Sequence, residues 1–510
     1  MGLISVYSVN SVIVNRRSPL NTSPGRRTQE RKVPITNDTA PAQSTIPTHQ
    51  PKNTPTTHAH SNTKPHRRST PMPYPTHATL TDWIAREAAP FSLDPSDSFN
   101  AAVDRMMAAL GNPVDLLGFG EALHGGEDLL VLRNRLFMRL VEAHGYTAIA
   151  VESSFPRGRL VDDYVAGRGP ASYEDVMEEG FSHGFGRLDA NRDLVEWMRA
   201  YNADPAHRTK LRFYGFDTPT EFGGSDSPRQ LLEFVLDYLT SVDSAAGRAF
   251  RDRIEPLIGR DADWEDPATV FDPTKSIGRS LAAKELRVAT EDLIADLQRR
   301  RPDLVALAGS DRFREVMHYA ASARWLLSYH AGLADTSDDR VSRLLGMRDA
   351  MMAENLAYIL SRERGREGKV LAFAHNEHLR RGKAEWRWGA NLWRWSPAGA
   401  HLDAILGPRY ALIGSGVGVS DANGIGRPEP GTLEDLLTAA PGPGRFIPTH
   451  RGEGLPAGAV ATLPTRSGSR KNPGYFPLTP QSLVEFDWLA VLDSTGYARG
   501  GPPLPEYNTT

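Results

Sequence analysis

The stretch Val114-Asp-Leu-Leu-Gly-Phe-Gly-Glu-Ala-Leu-His-Gly-Gly126 sets the reading of the chain around it. A short apolar run closes on glycine and then on charged residues, the pattern of a buried strand emptying into a loop. From Asp128 to Ala143, Leu129, Leu132, Leu136 and Leu140 recur at three- and four-residue spacing, the apolar face of a helix that Gly145 stops. Thr147-Ala-Ile-Ala-Val151 reads as a second strand, and a helix over Leu194–Tyr201 leads to a third, Leu211-Arg-Phe-Tyr-Gly-Phe216. A fourth is Lys369-Val-Leu-Ala-Phe-Ala374 and a fifth Arg409-Tyr-Ala-Leu-Ile413. Strands apolar throughout, alternating with helices, predict an α/β fold with a mostly parallel or mixed central sheet flanked by helices. Between the third and fourth strands, residues 226–365 read as almost unbroken helix, so a large helical insertion, or cap, is expected there. Upstream, Leu80, Ile84, Phe99, Val103, Met106 and Leu110 carry helical spacing. Downstream of Gly414 the text is rich in Gly and Pro, with strand-like runs at Ala459–Leu463 and Trp488–Leu492.

The chain has 510 residues, ample for a substantial core without staples. It has no cysteine, which removes thiol nucleophiles, thiolate zinc sites, Fe–S clusters and disulfide scaffolds together. A net charge of −3 gives no reason to expect a nucleic-acid partner. That sum conceals two unlike parts: residues 1–71 hold ten Lys/Arg against Glu30 and Asp38, hence +8 there and −11 in the remainder. The first part is rich in Pro, Thr, Ser and Asn and reads as a disordered basic tail, with Met72 as an alternative start. The organisation expected is therefore a tail over 1–71, an α/β catalytic domain contributed by 72–225 and 366–510, and the insertion over 226–365. Leu3–Val14 is interrupted by Ser and Asn and precedes Arg16–Arg17, unlike a secretory signal. No run of 18 apolar residues occurs, so a cytoplasmic protein with no membrane partner is expected. Nothing in the text sets an oligomeric state.

Chemistry concentrates where the strands end. The first runs into Glu121 and His124, the second ends in Glu152, the third in Asp217, and the fourth in His375, followed by Asn376, Glu377 and His378. Ligands of open α/β sheets bind at the carboxyl ends of strands, so these groups are expected around one crevice. A carboxylate beside a histidine fixes its tautomer and raises its basicity. Glu121 and His124, three residues apart in a turn, are thus an expected acid–base pair able to take a proton from water. His375 would hold a carbonyl oxygen or protonate a leaving group, and Arg133 on the following helix would face a developing oxyanion. Trp386-Arg-Trp-Gly-Ala-Asn-Leu-Trp-Arg-Trp395 follows closely; such Trp and Arg could stack on bases or sugars, but in a net-acidic part of the chain it is read as a pocket wall or simple packing. There is no Gly-x-Ser-x-Gly elbow, no phosphate loop and no His-Glu-x-x-His helix, so water is the expected nucleophile and no cofactor is expected. A metal held by His375, His378, Glu121 and Glu152 is the alternative.

Gly120-Glu-Ala-Leu-His-Gly125, Leu140-Val-Glu-Ala-His-Gly-Tyr146, Ala150-Val-Glu-Ser153, Leu194-Val-Glu-Trp-Met-Arg-Ala-Tyr-Asn202, Phe213-Tyr-Gly-Phe-Asp217, Arg348-Asp-Ala-Met-Met-Ala353 and Phe373-Ala-His-Asn-Glu-His378 resemble, in order and spacing, the erythromycin esterase family. The resemblance implies an α/β hydrolase acting on a small-molecule ester or lactone, such as a macrolide antibiotic, by attack of water; a metal-independent hydrolase is the first reading. It also implies His124 as general base beside Glu121, with Glu152, His375 and Arg133 completing the catalytic set. Asp217, Asn376, His378 and Trp386 are the expected substrate-binding residues. The family also includes proteins of exopolysaccharide biosynthesis, so a metal-dependent hydrolase or a non-catalytic exopolysaccharide-related protein are the competing readings.

Overall fold

In the computed structural model, Leu116–Glu121 lies near the middle of an eight-stranded sheet with every residue buried. The structure describes residues 77–504, except 95–96, 112–113, 219, 222–223, 389–390, 454 and 456–461. The expected basic tail and most of the strand-like run Ala459–Leu463 lie outside the described residues. In chain order the strands are β1 (Ala89–Phe91), β2 (Leu116–Glu121), β3 (Tyr146–Ser154), β4 (Arg212–Asp217), β5 (Lys369–His375), β6 (Tyr410–Val419), β7 (Gly444–Pro448) and β8 (Trp488–Ser494). Across the sheet the order is β1-β7-β8-β6-β2-β5-β3-β4. The six strands from β8 to β4 run parallel. β7 is antiparallel to both its neighbours, which makes the sheet mixed. No helix among the described residues is long and apolar enough to cross a membrane.

Apolar strands imply cover on both faces, and both are covered. Leu117, Phe119, Ile149, Val151, Leu371 and Phe373 enter a core shared with helices Asp97–Leu110, Glu127–His144, Phe155–Val165 and Asp189–Ala203. Leu116, Ala148, Ala150, Val370, Ala372 and Leu412 enter the opposite core, shared with the helices between β4 and β5. Six α-helices, from Arg229 to Arg364, form that insertion among the described residues. Gly118 and Gly120 of β2 leave room for neighbours: a Cβ at Gly118 would lie 2.9 Å from Leu412 Cδ1, and one at Gly120 would overlap the Asn376 amide. The glycines of the opening stretch thus serve close packing as well as the turn.

β1 and β7 were not expected from the sequence. β1 has three residues, too few for a period, and β7 is Gly-Arg-Phe-Ile-Pro between Gly/Pro-rich turns. Arg445 in β7 is fully buried, which reverses the usual reading of arginine; Asp493 receives its Nη2–H at 2.6 Å. The chain leaves β2 for β3 and β4 on one side, then returns to insert β5 between β2 and β3 before crossing to β6. This reversal opens a crevice at the carboxyl ends of β2, β5 and β3.

Candidate active site

Glu121 ends β2, and its register partner across the parallel pair is His375, which ends β5. The chain then turns through Gly125, whose φ of 74° only glycine adopts readily, and enters helix Glu127–His144. The turn returns His124 over Glu121, and Nδ1–H donates to Oε1 at 2.7 Å. The C-terminal segment pins this turn from outside: Phe476 and Ala498 donate N–H to the carbonyls of Ala122 and Gly125 at 3.0 and 2.8 Å. His124 Nε2 lies 3.9 Å from Glu152 Oε1.

Glu152, in β3, is the hub of the site. Its Oε2 accepts the His375 N–H at 2.8 Å, and its Oε1 accepts from Arg348 Nη2 at 3.0 Å. His378 Nε2 is 3.2 Å from the same Oε1. Arg348 also grips Asp217 through Nε and Nη2, at 3.0 and 2.6 Å. His378 Nδ1–H donates to Asp349 at 2.9 Å, and Asp349 receives the Trp395 indole N–H at 2.7 Å. Helix Arg340–Arg364 therefore ties the sheet to the hairpin of Ala384–Trp388 and Asn391–Trp395. His375 is held differently. Its Nδ1 accepts the Glu377 N–H at 3.1 Å, so Nε2 carries the proton and donates to the carbonyls of Gly474 and Ala122, at 3.1 and 3.3 Å.

These contacts separate the three histidines electrostatically. Burial opposes charge on His378, but the Asp349 and Glu152 carboxylates outweigh it and raise the imidazole to about 10. Burial together with the nearby His124 lowers His375 to about 3, so it is neutral. Burial also opposes charge on His124, yet Glu152 and Glu121 together raise it above the ordinary histidine value. Glu152 is held well below the usual carboxylate range, because His378, His124 and Arg348 overcome its burial. A raised histidine stabilises the fold below its unfolded value, about 6.5, and that contribution is lost as pH rises through the folded value. The stabilisation that His378 supplies should therefore be lost between about pH 7 and 10. In urea titrations across that window, the deficit of His378→Gln relative to the parent should shrink as pH rises; a constant deficit would mean that His378 is not held charged.

These groups surround a pocket of about 970 Å³, counted to its open mouth, in the range of small-molecule sites. His124, Glu152, Arg348, His375 and His378 give it a polar floor, and Phe185, Leu345, Trp386, Trp395 and Phe476 give it apolar walls. Among the described residues, no group of three or more His, Asp or Glu side chains is arranged to hold a metal ion.

Of the residues read as catalytic, His124, Glu152 and His375 meet at this pocket, and Glu121 lies directly behind His124. Arg133 does not reach it. Its Nε and Nη2 donate to Asn134 at 3.0 and 2.6 Å, and the guanidinium sits over the Phe373 ring in a smaller cavity behind Glu121. Of the residues read as substrate-binding, His378 and Trp386 line the pocket. Asp217 is fully buried beneath Arg348, and Asn376 is spent on the Ser415 backbone, accepting at 3.1 Å and donating at 2.8 Å. Sequence reasoning missed Arg348, although it stands in a stretch singled out for resemblance. It also missed His183 and Phe185, in a segment with no regular period, where Gly180, Gly184 and Gly186 were the available signal.

Comparison with known proteins finds relatives of this chain and of its fold. A chain from Escherichia coli described as erythromycin esterase type II is 25% identical over 312 residues, covering 59% of this chain and 68% of that protein. Three solved structures share the fold at 18% identity. A Bacillus cereus protein has a TM-score of 0.65, covering 84% of this chain and 100% of that one. A succinoglycan biosynthesis protein has 0.61, covering 83% and 99%. A mutant of the erythromycin esterase EreC in its open conformation has 0.59, covering 81% and 98%. A family model described as Erythromycin esterase matches residues 141–495, a span that holds Glu152, Asp217, Arg348, His375 and His378. With well over half of the chain and the hub of the site inside that match, the protein belongs to the erythromycin esterase family.

Proposed function

We propose that the protein hydrolyses esters of bulky, largely apolar molecules, macrolide lactones foremost, with water as nucleophile. The observation that carries this reading is the His124–Glu121 pair: a carboxylate holds Nδ1–H at 2.7 Å, so Nε2 is the nitrogen that takes a proton, and the ring lines the pocket. Water bound at Nε2 gives up its proton as its oxygen attacks the ester carbonyl. Glu121 fixes the tautomer and stabilises the imidazolium that forms. The charge developing on the carbonyl oxygen lies near Arg348 and His378, both cationic and fixed before the reaction starts. His375, with both ring nitrogens held by backbone, shapes the floor. The Trp386 and Trp395 walls take the apolar body of the substrate.

Incubation of the purified protein with a panel of macrolides should convert at least one to a product heavier by one water, read by mass spectrometry. Absence of that product across the panel and across simple esters would reject the reading. Activity abolished by a chelator and restored by an added divalent ion would point instead to a metal-dependent enzyme.

A further inference from the structure

Ester cleavage needs a second proton event, because the departing alkoxide is a strong base. We propose that His183 is a second catalytic residue, the proton donor to that leaving oxygen; this rests on the hydrolytic reading above. His183 lines the same pocket as His124. Both rings lie against Phe185, with centroids 5.6 Å from His124 and 5.4 Å from His183. Its Nε2–H donates to the fully buried Asp217 at 3.0 Å, so it repeats the carboxylate-supported imidazole of His124 and Glu121 on a different element.

The backbone supports the assignment independently. His183 stands at φ 59°, in the left-handed region that a residue with a Cβ avoids at a cost of about 1–2 kcal/mol, and Gly184 follows at 70°. The loop is clamped on both sides of this bend. Ser182 N–H donates to Ser153 Oγ at 2.9 Å, and Ser182 Oγ accepts the Ser154 N–H at 2.9 Å. The Tyr173 hydroxyl donates to the Gly186 carbonyl at 2.8 Å, and a Cβ at Gly186 would overlap the Met177 carbonyl oxygen. These bonds hold an unfavourable bend that carries a histidine into the pocket.

The step balances. The water oxygen bonds to the carbonyl carbon and its proton passes to His124. The tetrahedral centre then collapses, the ester C–O bond breaks, and its electron pair goes to the alkoxide oxygen, which takes the Nδ1 proton of the His183 imidazolium and leaves a neutral ring with its Nε2–H on Asp217. The proton gained by His124 and the one lost by His183 are exchanged through solvent, leaving acid and alcohol.

The test compares two esters of one acyl group, an alkyl ester and a p-nitrophenyl ester whose phenolate leaves without a proton. His183→Asn is the variant of choice, since asparagine tolerates the left-handed backbone and its amide can donate to Asp217. Its kcat/KM for the alkyl ester should fall by about 100-fold or more, and for the nitrophenyl ester by only a few-fold. The ratio within one preparation cancels any loss of folded protein. An unchanged ratio overturns the assignment of His183 alone. A parent protein inactive on both esters and on the macrolide panel overturns the hydrolytic reading and this assignment with it.

Discussion

Replacing His124 with glutamine should lower kcat/KM for ester hydrolysis by about 100- to 10,000-fold, the usual contribution of a positioned general base, on alkyl and aryl esters alike. Glutamine keeps the size of the side chain and offers Glu121 an N–H, so the turn can persist; circular dichroism and the urea midpoint should stay near those of the parent. A variant that retains hydrolysis would remove His124 from the role of base. Glu121→Gln makes a second, directional test. On the proposed mechanism hydrolysis needs neutral His124, so the rate should fall as pH drops through its folded pKa, which Glu152 and Glu121 hold above the ordinary value. Removing the Glu121 charge lowers that pKa, so the acidic limb of the kcat/KM profile should move to lower pH even as the plateau falls. A limb that stays in place would mean that another group sets it.

How much of this was open to sequence reasoning follows from where each side chain comes from. Glu121, Glu152 and His375 end apolar runs, and a parallel sheet aligns the carboxyl ends of its strands, so their meeting could be read in advance. Asp217 and Asn376 obey the same rule and yet miss the pocket. A strand end fixes where the backbone stops, while the next side chain goes to whichever partner waits, here Arg348 and the Ser415 backbone. Arg133 fails by its helical face. Residue 133 turns toward the sheet with Leu129, Leu136 and Leu140, which puts the guanidinium behind Glu121. Arg348 was hidden for the opposite reason. It lies half-buried within a 25-residue helix where Arg340 and Asp349 are buried, and hydrophobic periodicity assigns such groups to solvent. The aromatic hairpin was legible as a wall because four tryptophans in ten residues exceed what a solvated loop needs. The edge strands β1 and β7 were not, since short strands flanked by Gly and Pro carry no period.

Arg348→Leu should be the most destabilising single change at the site, by about 3–5 kcal/mol at neutral pH in chemical denaturation, the range for removing one partner of a buried ion pair. Arg348 spans Glu152 and Asp217, 4% and 0% exposed, with bonds of 3.0 and 2.6 Å to its Nη2. Leucine fills part of the space but leaves two buried carboxylates short of a cation. Both are held below the ordinary carboxylate range in the parent, where opposing charges overcome burial. A depressed carboxylate stabilises the fold above its unfolded pKa of about 4, and that contribution is lost as pH falls through the folded value. Without Arg348, burial gains weight and both groups rise, so the variant takes up protons in its folded state at a pH where the parent does not. Its deficit should therefore narrow as pH falls from about 7 toward 5, whereas a deficit of packing alone would stay constant. Arg348→Lys keeps the charge but not the planar fork that reaches both carboxylates, so it should recover part of the stability. If hydrolysis returned fully with lysine, Arg348 would be acting only as a counter-charge. A rate still depressed in a stable Arg348→Lys protein is the expected result, because Arg348 also lines the pocket in which the proposed oxyanion would form.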